Sequence, residues 1–419
     1  MVVAMREMKD SGIEYVGSIP YEWDIHPLYC YFGERKNKNY ALQEQNLLSL
    51  SYGNVIRKDI DTVGGLLPAS FNTYNIVEAG DIIIRPTDLQ NDKRSLRTGL
   101  VIERGIITSA YIDLKPYPGV NSSYFRYLLH SFDVMKVFYN MGNGVRQGLN
   151  YDEFSKLMVF EPPDAEQKAI VAFLDAKCAE IDALSADIQS EIDTLEAYRR
   201  SVITEAVTKG LDQNAQIKDS RIFYMAPYNE NWRLSKIEYE CTKLSRAFEP
   251  EDAPLLCTNK GKVAVRPEEM SGRMVSEDNA MQGIHKGDIA IHGMDTWHGA
   301  IALSDYDGKI TRVVHVCDSK HDKRFIVYYL QQLAFNGVYK LISNGVRGNT
   351  SDFRSWDKVA DIYIALPEKD EQIRISNYLD VTCAEIEAII AQKQEQLAVL
   401  AEYKKSVIYE YVTGKKEVV

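Results

Sequence analysis

The sequence predicts an α+β chain with an internal pseudo-two-fold repeat. Two related, mostly β globular domains are each followed by one long helix, and the two helices pack antiparallel. Three observations carry this. A helical stretch starting at Asp164 recurs 205 residues later without a gap, so that Glu371-Gln372 falls on Glu166-Gln167, Leu379-Asp380 on Leu174-Asp175 and Ser406-Val-Ile408 on Ser201-Val-Ile203. A register kept over so many residues is a duplication. Both copies carry apolar residues at a mean spacing of 3.6, the mark of one stripe along a helix. The segments before them are rich in short β-type runs and share motifs of their own.

The chain divides into 1–160, a first globe; 161–210, the first helix; 211–365, a second globe; and 366–419, the second helix. In the first globe, Ile82–Ile84, Leu100–Ile102 and Ile106–Ile107 are candidate strands, with Gly, Asn and Asp between them. Tyr124 through Phe138 reads as a helix. Pro162-Pro163 then introduces the first long helix, Asp164 is a cap, and Gln167 stands where a capping-box partner would. Its stripe is Ile170, Leu174, Cys178, Ile181, Leu184, Ile188, Ile192, Leu195, Tyr198, Val202 and Ala206. At 1.5 Å per residue such a helix is roughly 65 Å long and cannot bury its stripe alone. Lys209-Gly210 marks its exit.

The second globe repeats the first with loops of changed length. Asp10-Ser-Gly-Ile-Glu-Tyr15 with Trp23 recurs as Asp219-Ser-Arg-Ile-Phe-Tyr224 with Trp232. Gly80-Asp-Ile-Ile-Ile-Arg85 recurs as Gly287-Asp-Ile-Ala-Ile-His292, and Asn143-Gly-Val-Arg146 as Asn344-Gly-Val-Arg347. Ile289–Ile291 and Val313–Val316 are its candidate strands, and Phe325–Leu333 its helix. The second long helix has the stripe Ile375, Leu379, Cys383, Ile386, Ile389, Leu397, Leu400, Tyr403, Val407 and Tyr411, broken at Lys393; Lys369 opposite Asp164 requires a different cap. The economical solution is that the stripes cover each other, with Leu184 and Leu397 buried mid-helix.

The net charge of −11 argues superficially against a nucleic-acid partner. The long helices hold most of it: residues 164–209 carry ten acids and five bases, and 368–416 nine and seven. The globes are nearly balanced and free to present basic loops. No apolar run approaches the length of a membrane span and the N-terminus lacks a signal-peptide core, so no membrane partner is expected. Six cysteines form no Cys-x-x-Cys pair, and Cys178 and Cys383 occupy equal stripe positions, which reads as core packing in a reducing cytoplasm.

Signatures of catalysis are absent. Glu161-Pro-Pro-Asp164 lacks the first residue and the aromatic of an amino-methyltransferase motif, and its acids with Lys168 crowd one helix start, unlike a nuclease set. Gly261-Lys262 lacks the rest of a phosphate-binding loop, and His292 and His298 lack a third metal donor at suitable spacing. Two loops differ. Arg85, Thr87, Gln90, Asn91, Lys93, Arg94 and Arg97 combine bases and hydroxyls suited to phosphates with amides suited to base edges. Asn143, Arg146 and Gln147 place an arginine and amides beside a turn glycine, matched by Asn344, Arg347 and Asn349. Each is alternatively a solvated surface loop. In the second globe His292, Trp297 and Arg312 are further candidates, while the bases of Tyr31–Tyr40 either touch phosphates or form a plain charged turn.

The order globe, helix, divergent globe, matching helix resembles the specificity subunit of type I restriction-modification systems over essentially the whole chain. The carrying residues are the Glu-Gln-x₆-Leu-Asp-x₂-Cys-Ala-Glu-Ile and Tyr-[Arg/Lys]₂-Ser-Val-Ile of both helices, Asp10–Tyr15 with Trp23, and Gly80–Arg85. The resemblance implies two target-recognition domains, each reading one half of a split double-stranded DNA site, and helices that set their spacing and dock two methyltransferase subunits. S-adenosylmethionine would bind in those partners and no cofactor in this chain; motor-nuclease restriction subunits would join, and the chain itself would be non-catalytic. The second globe has His292-Gly-Met-Asp-Thr-Trp297 where the first has Arg85-Pro-Thr-Asp-Leu-Gln90, so its base contacts cannot be copied from the first. The alternative class is a two-headed protein- or peptide-binding scaffold on a helical spacer, which a gel shift with duplex DNA and the methyltransferase separates.

Overall fold

The structure, a computed structural model, describes residues 6–60, 70–89, 96–141, 148–267, 280–343 and 351–418. The chain forms two compact units, residues 1–188 with 395–419, and residues 189–394. Each contains one globe and one half of each long helix.

In the first unit an antiparallel sheet is built from β1 (Phe32–Glu34), β2 (Ile82–Ile84), β3 (Thr98–Leu100) and β4 (Ile112–Pro116) in the order β1-β4-β2-β3. The all-isoleucine β2 is buried throughout, as a strand flanked on both sides must be. Two-stranded ribbons surround it: Met8–Asp10 with Ser18–Pro20, Asp24–Pro27 with Met158–Glu161, Leu48–Ser51 with Asn54–Arg57, and Asn75–Val77 with Gly105–Ile107. Helix α1 (Ser122–Val134) is capped by Asn121, whose side chain accepts from the Tyr124 amide. It stops short of the expected Phe138 because Lys136 turns left-handed (φ 62°), and a short 3₁₀ segment, Val137–Asn140, follows.

The long helices are α2 (Asp164–Lys209) and, after the second globe, α4 (Lys369–Val412). At the start of α2, Pro163 has no N–H for a capping box. The Gln167 amide donates instead to the Pro162 carbonyl at 2.9 Å, and Gln372 does the same to Pro367 at 2.8 Å.

The second unit repeats the plan strand for strand. Its sheet of β5 (Cys241–Lys243), β6 (Ile289–His292), β7 (Ile301–Leu303) and β8 (Val314–Ser319) has the order β5-β8-β6-β7, and α3 (Lys323–Phe335) matches α1. Its ribbons are Ile217–Lys218 with Tyr228–Asn229, Arg233–Lys236 with Tyr363–Leu366, Leu255–Cys257 with Val263–Val265, and Met281–Ile284 with Gly308–Thr311.

The repeated motifs prove to be architectural. Gly80 (φ 95°) and Gly287 (φ 86°) make left-handed turns before β2 and β6. The buried Asp81 and Asp288 close those turns by accepting from the amides of Glu78 and His285, and each is neutralised by an arginine, Arg35 at 2.6 Å and Arg246 at 2.7 Å. Trp23 is fully buried and its indole N–H donates to Glu166 in the first turn of α2; Trp232 donates likewise to Glu371 in α4. Tyr127 donates to Asp175 at 2.7 Å and Tyr328 to Asp380 at 2.8 Å, fastening α1 and α3 to the long helices.

The helices run antiparallel within each unit. In the first, Phe173 stacks near Tyr411 (4.2 Å) and Asp182 pairs with Lys404 at 2.6 Å; in the second, Glu191 pairs with Lys393 and Arg199 with Glu387 at 2.9 Å. As one number rises its partner falls. The expected stripe is buried at both ends, where Ile170, Leu174 and Cys178 join the first core and Val202 and Ala206, with neighbouring Ile203, the second. It is not continuous. Leu184 is 48% exposed and Tyr198 55%, and Leu397 is only half-buried. A single partner helix covers a narrow seam, whereas a 3.6-spaced stripe is wider. Only near the globes is a second apolar surface present to cover the rest.

Candidate nucleic-acid interface

The β2–β3 connection of the first globe runs from Arg85 to Arg97 and its β6–β7 counterpart from His292 to Ala300, four residues shorter. Both begin and end on the sheet: the Arg85 amide donates to the Arg97 carbonyl and the His292 amide to the Ala300 carbonyl, each at 2.9 Å.

Each connection is tied to the loop that follows the globe's helix. In the first globe the Leu149 amide donates to the Pro86 carbonyl at 3.1 Å, and Leu89 and Leu149 are both buried in the core. In the second globe the Ser351 amide donates to Met294 O (2.9 Å) and the Phe353 amide to Gly293 O (3.0 Å). The Ser351 hydroxyl accepts from Thr296 (2.7 Å) and donates to Gly293 O. A Cβ on Gly293 would lie 2.6 Å from Phe353 O, so glycine is required there. Buried His315 braces the same carbonyl through Nε2 at 2.7 Å. In the first globe the two segments singled out by sequence, far apart in the chain, thus meet through Pro86 and Leu149; in the second, the β6–β7 connection is tied to Ser351 and Phe353, just after the singled-out Asn344–Thr350, which lies outside the described residues.

The individual candidates fare differently. Arg85 is half-buried and Thr87 exposed at the base of the first connection. Gln90, Asn91, Lys93, Arg94, Asn143, Arg146, Gln147, Asn344, Arg347 and Asn349 lie outside the described residues. Arg97 does not face outward. It is wholly buried, and its guanidinium is consumed by the carbonyls of Thr87 (2.5 Å), Asp88 (3.0 Å) and Arg85 (3.3 Å) and by the Tyr139 hydroxyl (2.9 Å). Its part is to brace the connection.

His292 is mostly covered; burial holds its imidazole below the ordinary range against the opposing pull of Asp295, 3.4 Å away, so it is neutral at pH 7. Trp297 packs on the second core with the Lys340 ammonium over its ring at 5.8 Å, and its indole N–H has no partner among the described residues. Arg312 is exposed and donates to Met281 O; the next residue, Val313, accepts from Gly293, which puts Arg312 beside the junction. The Tyr31–Tyr40 bases are a braced turn: Arg35 is held by Asp81, Lys36 pairs with Glu34 at 2.7 Å, and Lys38 donates to Thr73 O. Sequence reasoning missed Asp133, Tyr139, Ser351 and His315, which build the junctions and carry no local motif.

Among the described residues no group of three or more His, Cys, Asp or Glu could hold a metal ion, and no helix is long and apolar enough to cross a membrane. All six cysteines are free thiols; burial raises those of Cys178 and Cys383, as it does for packed core residues.

No known protein-family profile matches the chain, and no curated protein matches it by sequence. Among solved structures, a chain from work on the complex assembly and conformational transition of the type I R-M system superposes with a TM-score of 0.66 over 95% of this chain and 99% of that one, at 13% identity. The chain has the fold of a type I restriction-modification subunit. The HsdS subunit from Thermoanaerobacter tengcongensis (13% identity, 95% and 98% covered, TM-score 0.44) and the type I S subunit from M. genitalium (13%, 93% and 96%, 0.37) are also similar. In this restriction-modification fold the strand order and the glycine–aspartate turns repeat between the two globes, while the β2–β3 and β6–β7 connections differ in length and in their bracing residues.

Proposed function

We propose that the chain is the sequence-specific DNA-recognition subunit of a type I restriction-modification complex, itself non-catalytic, working in the reducing cytoplasm. Each globe reads one half of a bipartite duplex target through its joined loops. The observation that carries this reading is the pairing of divergent loop junctions with a duplicated scaffold. Matched residues such as Asp81 and Asp288 maintain the fold, while Arg85 against His292 and Arg97 against Ala300 leave the two junctions chemically unlike. Arginine and exposed hydroxyls such as Thr87 suit phosphates, and the sequences of these segments supply amides, Gln90 and Asn91 among them, suited to base edges.

The helices dock two methyltransferase subunits, which hold S-adenosylmethionine, and restriction subunits join that assembly. Support comes from apolar side chains left uncovered at matching places, Leu184 and Tyr403 in the first unit and Ile389 and Tyr198 in the second, each between 43% and 55% exposed. An apolar patch formed across the helix pair at the same place in both units suits a repeated protein contact. Selection of bound duplexes from a randomised DNA library by the full chain with its methyltransferase tests the whole reading. A split motif with a fixed spacer is the expected result; enrichment of no sequence favours the protein-binding scaffold instead.

A further inference from the structure

We infer that Arg97 is a positioning residue that sets the geometry of the first recognition junction from inside the globe, without touching the ligand. This rests on the DNA-reading assignment above. A fully buried arginine is uncommon unless its donors are satisfied, because its charge cannot be neutralised by proton loss. Here three carbonyls of the β2–β3 connection, at Arg85, Thr87 and Asp88, converge on one guanidinium. Asp88 is held in the left-handed region (φ 60°), a conformation that non-glycine residues adopt only where the surroundings enforce it.

The Nε donor continues the network toward α1. Arg97 Nε donates to the Tyr139 oxygen, the Tyr139 hydroxyl donates to Asp133 at 3.3 Å, and Asp133 also accepts from the Arg97 amide. Lys136, left-handed at φ 62°, donates to the same phenol oxygen at 3.0 Å. The fork of the guanidinium thus fixes the start of one connection relative to the helix that launches the second loop. Pro86, between two of the anchored carbonyls, receives the Leu149 amide from that loop's far side. Arg85, Thr87 and Asp88 of the first segment, and Leu149 of the second through Pro86, are referenced to Arg97. In the second globe Ala300 stands at this position, and Thr296, Ser351 and His315 do the tying, so the device belongs to one half-site only.

The test is selection from a randomised duplex library by the full chain, comparing wild type with Arg97→Met and with the milder Tyr139→Phe. Thermal unfolding runs in parallel, together with non-specific affinity for a scrambled duplex. Arg97→Met should lower discrimination at one half-site by about tenfold or more, the size of a lost base contact, while the other half-site and the scrambled-duplex affinity stay as in wild type. Tyr139→Phe should shift the same half-site in the same direction by less. A loss shared equally by both half-sites, or unchanged preferences in a folded Arg97→Met chain, overturns the inference and leaves the DNA reading standing. A wild-type chain that selects no sequence overturns both.

Discussion

Asp113 offers a direct test of the buried electrostatics. It lies on β4, paired across the sheet with Ile83, and is essentially inaccessible. Neither carboxylate oxygen has a hydrogen-bond partner among the described residues. Burial pushes its pKa up from 3.8 to about 8; the neighbouring Asp81 and Glu34 add to the rise, and Arg35, 3.8 Å away, opposes it. Arg35 is already committed to Asp81, so Asp113 keeps its proton in the folded chain at neutral pH. The unfolded chain loses that proton near pH 4. Between these values folding takes up a proton, so Asp113's contribution is complete below pH 4 and is lost as pH rises toward 8. The limiting slope is about 1.4 kcal/mol per pH unit, or about 3 kcal/mol between pH 5 and 7. Urea unfolding of wild type and Asp113→Asn at half-unit pH steps reads this as a difference: the variant gains stability relative to wild type as pH rises. Asp113→Val should do the same, because Val316 occupies the matching place opposite Ala290 in the second sheet. A pH-independent difference, or a variant that loses ground with rising pH, would refute the argument.

Three further outcomes follow from the packing. Ile188→Ala, at a buried stripe position, should cost about 2–4 kcal/mol in urea unfolding, whereas Leu184→Ala, half-exposed one turn earlier, should cost less than about 1 kcal/mol. Trp232→Phe keeps an aromatic ring but leaves Glu371 without the indole donor 3.3 Å away. It should lower stability by about 1–3 kcal/mol, and by little more when combined with Glu371→Gln, as thermal unfolding of the single and double variants would show. Gly414→Ala places a Cβ 2.3 Å from Pro20 at a residue with φ 67°; it should destabilise the first unit more than Gly119→Ala, where φ is also positive but no atom lies near, a comparison that urea midpoints decide.

The fold was legible where periodicity and repetition speak. The Ile82–Ile84 and Ile289–Ile291 runs are strands, the long helices span Asp164–Lys209 and Lys369–Val412 inside the expected 161–210 and 366–419, the second ending well before 419, and the antiparallel pairing follows from stripes that need a partner. Leu184 was misread because spacing shows which residues share a helix face but not how wide a surface the partner covers. The candidate site was legible only in part. Two loops were chosen on composition; in the first globe Pro86 and Leu149 of those segments are hydrogen-bonded, while most of the chosen residues lie outside the described ones. Arg97 was misread as a ligand contact because sequence supplies an arginine's donors and says nothing of the carbonyls that consume them. Tyr139 and Ser351 escaped notice because their roles arise from positions brought together only by folding.

The comparison of the two repeats divides the chain's residues by task. Positions kept in both copies are those that a fold of this kind cannot vary cheaply. A left-handed glycine needs no side chain, and a buried aspartate needs its turn amides and its arginine. An indole at a helix start needs the glutamate that accepts from it, and a tyrosine fastening one helix to another needs its aspartate. Each exchange would strand a buried donor, acceptor or charge, at a cost comparable to a sizeable share of a domain's stability. Three of the positions that differ between the copies, Arg85 and His292, Arg97 and Ala300, Asp113 and Val316, lie on the central sheet or the connection rising from it. There the second globe substitutes one self-contained solution for another: a neutral strand residue for a protonated carboxyl, a hydroxyl pair with a histidine for a guanidinium. Because each solution closes within its own globe, a junction can diverge without disturbing the helices or the other globe. That independence is what the proposed separate reading of two half-sites by one chain requires.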